Sequence, residues 1–386
     1  MTNLTIDRNY LRQTLADLVH INSINPSLVP GSAGEGEVAA YVTGAMQRLG
    51  MMVTRHEPEP NRVSVVGTLP GTSNGRSLML NGHIDTVGVE NMPQPFSGEI
   101  RDDRLYGRGA YDMKGSIAAM LAAVKALREV NLTLKGDLIL ATVADEEYAS
   151  IGTADIASRY KPAAAIVTEP TELQLAVAHK GFVWLEVTVS GKAAHGSRPQ
   201  LGIDANLKMG RFLHELERLE QELHARKPHP LIGPPTLHAA MLNGGREMSV
   251  IADRSELRIE RRTIPGETEA GVVAELRALL DRLSVSDENF HAAVKSFFAR
   301  EPFEVATAAP IVEAVQAAAA DVLQRPIEPN GVSFWTDAAL LAAAGIPTVV
   351  FGPIGAGAHA AEEWIDLQSV EQSALIYART ALAYCG

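Results

Sequence analysis

Residues able to bind divalent cations recur along this chain, mostly just after apolar, strand-like runs. His83-Ile84-Asp85 follows Ser77-Leu78-Met79-Leu80. Glu146-Glu147 follows Leu138-Ile139-Leu140-Ala141-Thr142-Val143, and Glu169-Pro170 follows Ala165-Ile166-Val167. His359 comes just after Thr348-Val349-Val350-Phe351, while Asp112 sits in Gly109-Ala110-Tyr111-Asp112-Met113-Lys114-Gly115. Two histidines and three carboxylates on separate strands can hold two divalent metals, and a spare glutamate can act as a base. The chemistry such a set supports is metal-assisted hydrolysis. Taken singly, each residue has an ordinary explanation: a solvated Glu-Glu pair, a turn-forming Asp, a helix-start Glu before Pro. The ordered set is much harder to assign to coincidence.

Each side-chain type has a distinct job in such a site. Imidazole nitrogen and carboxylate oxygen both suit zinc-like ions. A carboxylate has two oxygens, so one Asp can bridge two metals about 3.5–4 Å apart. Asp85 lies two residues after His83, on the same side of an extended chain, and is expected to accept the second ring N–H of His83. Glu146 and Glu147 are adjacent and point in different directions, which suits one ligand and one base.

The elements that must position these residues read as an α/β sheet. Leu11, Leu15 and Leu18 mark a first helix, and Val38, Tyr41, Val42, Met46 and Leu49 a second. Residues 63–69 and 77–82 read as strands around a turn at 70–75, with an Ala-rich helix after Lys114-Gly115. The runs 138–143 and 163–167 are continuously apolar, as in strands covered on both faces. Near residue 180 the pattern changes. Val183, Leu185, Val187 and Val189 alternate with polar or amphipathic residues, opening a β-α-β-β-α-β series with strands near 235–243, 255–263 and 289–298 and helices near 204–223 and 268–283. Such a series makes a one-sided, ferredoxin-like sheet. The expected organisation is a catalytic domain from 1–179 and 299–386 interrupted by an inserted α+β domain at 180–298.

The quoted motifs resemble a family: the aminoacylase, acetylornithine deacetylase, succinyl-diaminopimelate desuccinylase and carboxypeptidase G group of two-zinc hydrolases. The resemblance covers nearly the whole chain. It includes Asn81-Gly82-His83-Ile84-Asp85-Thr86-Val87, Gly107-Arg108-Gly109-Ala110-Tyr111-Asp112-Met113-Lys114-Gly115, Asp145-Glu146-Glu147, Thr168-Glu169-Pro170-Thr171, Ala178-His179-Lys180-Gly181 and Ala194-His195-Gly196. It implies a catalytic domain with a mixed central sheet flanked by helices, and an inserted lid and dimerisation domain. Asp112 would bridge two metals, with Glu147 and His359 completing one site and His83 and Glu169 the other. Glu146 would be the base, His195 the oxyanion donor (from the partner subunit in dimeric members) and Arg262 the grip on a substrate carboxylate. The implied metals are zinc, with cobalt or manganese as alternatives. This chain departs from many members at Ser249, where they carry Asn, and at Glu362, where they carry Asn or Asp.

Composition bounds the partners. The net charge of −12 over 386 residues argues against nucleic acid or an anionic membrane as a general partner. One cysteine, Cys385, precludes an internal disulfide and fits a cytoplasmic setting; its terminal position argues against catalysis. No basic start followed by an apolar core, and no 18-residue apolar run, points to a signal peptide or a membrane span. The leading expectation is a homodimeric deacylase of N-acyl amino acids. A dipeptidase or carboxypeptidase with the same machinery is the nearest rival. A non-catalytic binder is the rival of another class, and it has no use for the spare glutamate.

Overall fold

The computed structural model describes residues 4–131 and 133–386; residues 1–3, on which the signal-peptide expectation partly rests, lie outside them. The chain divides into two compact units, one comprising residues 1–177, 305–331 and 336–386, the other residues 178–304 and 332–335.

The first unit is built on a mixed sheet. Its strands lie in the order Met52–Glu59, Arg62–Leu69, Leu138–Val143, Leu78–His83, Ala164–Val167, Thr348–Val350, Leu175–His179. Leu78–His83 runs parallel to both Leu138–Val143 and Ala164–Val167, and Thr348–Val350 runs parallel to Ala164–Val167. The pairings of Met52–Glu59 and Arg62–Leu69 are antiparallel. Every residue of Leu78–His83 and of Leu138–Val143 is buried, the apolar runs Leu78-Met79-Leu80 and Leu138–Ala141 together with the polar Asn81, His83 and Thr142. The Ala-rich helix Gly115–Glu129 is buried on nearly all sides and packs on the C-terminal helix Leu367–Cys385. Each fully buried leucine in these elements contributes about 1.5–3 kcal/mol.

Two departures from the sequence reading have clear causes. Met52–Glu59 carries Arg55, Glu57, Pro58 and Glu59 and alternates between half-buried and exposed positions; it is an edge strand, whose polar pattern masks it. The chain end does not fray. Leu367–Cys385 is capped by the Asp366 carboxylate at Ser369 N–H, and Cys385 is fully buried. Burial pushes its thiol up to about 12, which leaves it inert.

The second unit is the β-α-β-β-α-β series: Gly181–Ser190, Ala205–Ala225, Thr236–Gly244, Arg254–Thr263, Glu269–Ser286, His291–Arg300. The sheet order is Thr236–Gly244, Arg254–Thr263, Gly181–Ser190, His291–Arg300, all antiparallel. Asp204 and Thr268 cap the two helices through their side-chain oxygens. Both helices pack on the sheet face that carries Val183, Leu185, Val187 and Val189.

Candidate metal centre

Neighbouring parallel strands deliver most of the donors at their carboxyl ends, where open α/β sheets collect ligands. His83 ends Leu78–His83. Glu146 and Glu147 follow Leu138–Val143, and Glu169 follows Ala164–Val167. Asp112 and His359 arrive on irregular segments that are tied together. The Glu363 carboxylate accepts from Gly109 N–H (3.1 Å), Tyr111 N–H (2.9 Å), Asp112 N–H (3.0 Å) and Arg108 Nη1 (2.6 Å). Arg108 also donates to the Ala360 carbonyl at 2.8 Å and the Gly88 carbonyl at 3.0 Å. Gly109 is required in this turn. Its φ is +78°, and a Cβ there would meet Thr86 Cγ2 at 2.7 Å. His359 itself holds a left-handed φ of +61°.

At the centre the Asp112 carboxylate faces both histidines. One oxygen lies 3.0 Å from His83 Nε2 and the other 3.2 Å from His359 Nε2. His359 Nε2 is also 3.0 Å from Glu147 Oε2. His83 Nε2 is 3.6 Å from Glu169 Oε1 and 4.0 Å from Glu146 Oε2. Two groups of close donors result: His83, Asp112 and Glu147, and His83, Glu146 and Glu169.

Asp85 departs from its expected contact. His83 Nδ1 lies 2.9 Å from the Asp85 backbone carbonyl and 3.7 Å from its carboxylate. The carboxylate is turned elsewhere, accepting from Asn25 Nδ2 at 2.8 Å and from the backbone N–H groups of Glu146 (3.2 Å) and Glu147 (3.3 Å). The tautomer of His83 is thus set by main chain, and the Asp85 side chain orients the Glu146-Glu147 pair. Asn25 donates to Asp145 as well (3.0 Å), and Arg62 bridges Asp145 (2.7 Å) to Glu35 (2.7 Å).

The electrostatics call for cations. Burial, then the charges of neighbouring acids, pushes Glu146 and Glu169 well above the usual carboxylate range and Glu147 up to about 7. Burial alone would lower His83, but Glu169, Asp112 and Glu146 raise it well above its usual value. Hydrogen bonds to Asp112 and Glu147 raise His359 to about 10. Burial opposes ionisation of Asp112, yet its bonds to His359 and His83 hold it low. Glu147 Oε1 is buried without a partner. Acids packed this closely, with an orphaned buried oxygen among them, fit a pair of divalent cations.

A pH effect follows for the metal-free protein. Glu147, raised to about 7, and Asp337, raised by burial to about 6, favour the proton in the fold. Their contribution to stability is full below about pH 4.5 and is lost as pH rises through about 7. His359 pulls the same way at higher pH; Lys114, lowered by burial to about 7, opposes it there. At about 1.4 kcal/mol per pH unit for each group, the carboxylates together give an effect on the order of several kcal/mol. Chelator-treated protein is therefore expected to melt at higher temperature at pH 5 than at pH 7.5. Added zinc should restore stability at pH 7.5. A melting temperature that rises with pH in chelator would refute this.

His195 and Arg262 lie in the second unit. His195 is exposed, its Nδ1 2.8 Å from Ser197 Oγ and its backbone bridged to Val250. Arg262 is partly exposed near the end of Arg254–Thr263, its Nε 2.5 Å from Glu260 Oε1 and its guanidinium 5.3 Å from the Phe182 ring. Arg261 faces the other way, buried against Glu267 at 2.6 Å.

Residues 79–383 match the model of peptidase family M20/M25/M40. This chain belongs to that family. N-formyl-4-amino-5-aminomethyl-2-methylpyrimidine deformylase of Bacillus subtilis (strain 168) is 31% identical over 389 residues, spanning 92% of this chain and 91% of that protein. Acetylornithine deacetylase of Myxococcus xanthus is 29% identical over 392 residues, spanning 97% and 98%. Aminopeptidase PepT from Bacillus cereus shares the fold, with a TM-score of 0.82 at 19% identity, covering 99% of this chain and 100% of that one. As an M20/M25/M40 family member, the protein is a hydrolase of amide or peptide bonds, and its donor set is compatible with two-metal catalysis. Among the described residues, no helix is long and apolar enough to cross a membrane.

The buried supports of this M20/M25/M40 centre were not read from the sequence. Glu363, Arg108, Asn25 and Arg62 have no local signature. Arg108 does lie inside a quoted motif, four residues before Asp112, and an arginine among glycines beside a candidate ligand was the one available signal.

Proposed function

We propose that this protein is a two-metal deacylase of N-acyl amino acids. The reading rests on one observation above all: the Asp112 carboxylate reaches toward both His83 and His359, with Glu146 in the same cluster beyond the ligands two cations need. Deformylase and deacetylase relatives at 29–31% identity support an N-acyl amine as substrate.

Divalent cations, zinc in this reading with cobalt or manganese as substitutes, polarise the scissile carbonyl and acidify water when bound by Asp112, His83, Glu169, Glu147 and His359. Glu146 takes the proton of the attacking water and returns it to the leaving amine. Asp85 holds the Glu146 and Glu147 backbone so that the two side chains diverge. His195 donates to the oxyanion, supplied by the partner of a homodimer formed through the inserted domain, and Arg262 holds the substrate carboxylate. The setting is cytoplasmic.

The test is a hydrolysis screen of metal-replete enzyme on N-formyl, N-acetyl and N-succinyl amino acids and on dipeptides. The expected result is turnover of N-acyl amino acids well above that of dipeptides; the reverse order would replace this reading with a dipeptidase. Arg262→Ala should raise KM at least 10-fold for a free-carboxylate substrate and little for its methyl ester. Equal losses on both would remove Arg262 from that role.

A further inference from the structure

The turn that carries Glu146 and Glu147 is held by residues that precede residue 79, where the family match begins. Strand Arg62–Leu69 pairs antiparallel with Leu138–Val143, Val65 opposite Thr142, and continuing that register three residues brings Arg62 opposite Asp145. Ser64 Oγ accepts from Ala144 N–H at 3.1 Å along the same seam. The Arg62 guanidinium then binds on three sides: Nη2 to Asp145 Oδ1 at 2.7 Å and to Glu35 Oε1 at 2.7 Å, Nε to the Glu35 carboxylate at 3.1 Å, and Nη1 to Ser27 Oγ at 2.9 Å. Asn25, whose N–H donates to the Thr86 carbonyl at 2.8 Å, donates from Nδ2 to both Asp145 Oδ1 (3.0 Å) and Asp85 Oδ2 (2.8 Å). Asp85 in turn accepts from the Glu146 and Glu147 N–H groups.

Asp145 is the pivot of this arrangement. Its φ of +69° lies in the left-handed region, and its carbonyl accepts from Ala149 N–H at 3.1 Å, so its backbone sets the direction in which the chain leaves the strand. The side chains of Glu35, Asp145 and Arg62 are almost fully buried, as is Asp85. Three buried carboxylates around one guanidinium are a poor way to stabilise a core, since apolar residues of the same volume often do as well or better. What apolar residues lack is direction. A guanidinium fork and a carboxamide fix the angles of the carboxylates they bind.

We propose that Arg62 is a positioning residue for the hydrolysis. Directly through Asp145, and in concert with Asn25 and Asp85, it fixes the turn so that Glu146 faces the attacking water and Glu147 the metal. The proposal rests on the roles given to Glu146 and Glu147 above.

The experiment uses Arg62→Lys, which keeps the charge but not the fork, and Asp145→Gly, which tolerates the left-handed backbone but removes the anchored carboxylate. Both are assayed at saturating zinc on the compound that the hydrolysis screen shows to be turned over fastest. Each should lose about 10–100-fold in kcat with KM within about 2-fold of wild type, and Asp145→Asn, which keeps the acceptor oxygen, should recover most of the loss. A second readout needs no turnover: zinc titration of the metal-free proteins against a fluorescent chelator should show one of the two sites weakened about 10-fold in Arg62→Lys and Asp145→Gly. A merely structural Arg62 would lower the melting temperature and leave kcat and zinc affinity at wild-type values per folded molecule. Wild-type kcat or wild-type zinc affinity in Arg62→Lys would therefore overturn the proposal. Glu146→Gln assayed alongside keeps the two claims apart. Full activity there ends the base reading, while an inactive Glu146→Gln beside an unimpaired Arg62→Lys overturns the positioning role alone.

Discussion

Glu146→Ala enzyme is expected to keep its metal and lose about 10²–10⁴-fold in kcat, with KM little changed. Two assignments compete at this position. Glu146 Oε2 is 4.0 Å from His83 Nε2, close enough to count among the donors with His83 and Glu169. If Glu146 were a ligand, its loss would lower metal content and activity together. As the base, it can be removed with the metal retained, because Asp112, Glu147, Glu169 and the two histidines remain. Glu146→Gln sharpens the comparison, since it keeps the shape and a carbonyl oxygen but cannot accept a proton at neutral pH. Metal content per chain by elemental analysis, beside steady-state kinetics, reads both quantities. Full activity in either variant would remove Glu146 from the mechanism.

Arg108→Met should destabilise the protein by about 3–5 kcal/mol, the cost of leaving a buried charge without its partner. Arg108 and Glu363 are both almost fully buried and 2.6 Å apart. Glu363 also carries the backbone N–H groups of Gly109, Tyr111 and Asp112, so the damage falls where Asp112 is held. Glu363→Gln should cost a similar amount, because it leaves the Arg108 charge unpaired and turns an amide NH2 toward two of the N–H donors that the carboxylate accepts from. Urea unfolding of the metal-free variants measures both. Metal affinity should weaken with stability in Arg108→Met, since the segments bearing Asp112 and His359 share this pair. A change below about 1 kcal/mol in Arg108→Met would show that the pair does not hold the loop.

The parts legible in the sequence were those with a local cause. Glu146, Glu147 and Glu169 follow continuously apolar runs and His83 ends a strand that opens Leu78-Met79-Leu80, so their position in an α/β sheet could be read from pattern alone. The β-α-β-β-α-β series of the second unit was legible through the alternation at Val183, Leu185, Val187 and Val189 and the helix-like stretches near 204–223 and 268–283. Asp112 and His359 sit on irregular backbone; the glycine-flanked motif made Asp112 visible, and the apolar run Thr348-Val349-Val350-Phe351 before it made His359 visible. What stayed hidden depends on long-range pairing. Glu363 reaches Arg108 across 255 positions, and Asn25 reaches Asp85 across 60 and Asp145 across 120. Sequence spacing correctly put Asp85 beside His83, but its carboxylate serves the Glu146-Glu147 backbone, a choice set by Asn25 and unreadable from local order.

The most direct measurement is anomalous X-ray scattering at the zinc edge from crystals of the zinc-loaded protein. Two peaks per chain on either side of the Asp112 carboxylate are expected, one beside His83 and Glu169 and the other beside Glu147 and His359. One peak only, or peaks away from these side chains, would contradict a paired-cation hydrolase built on Asp112.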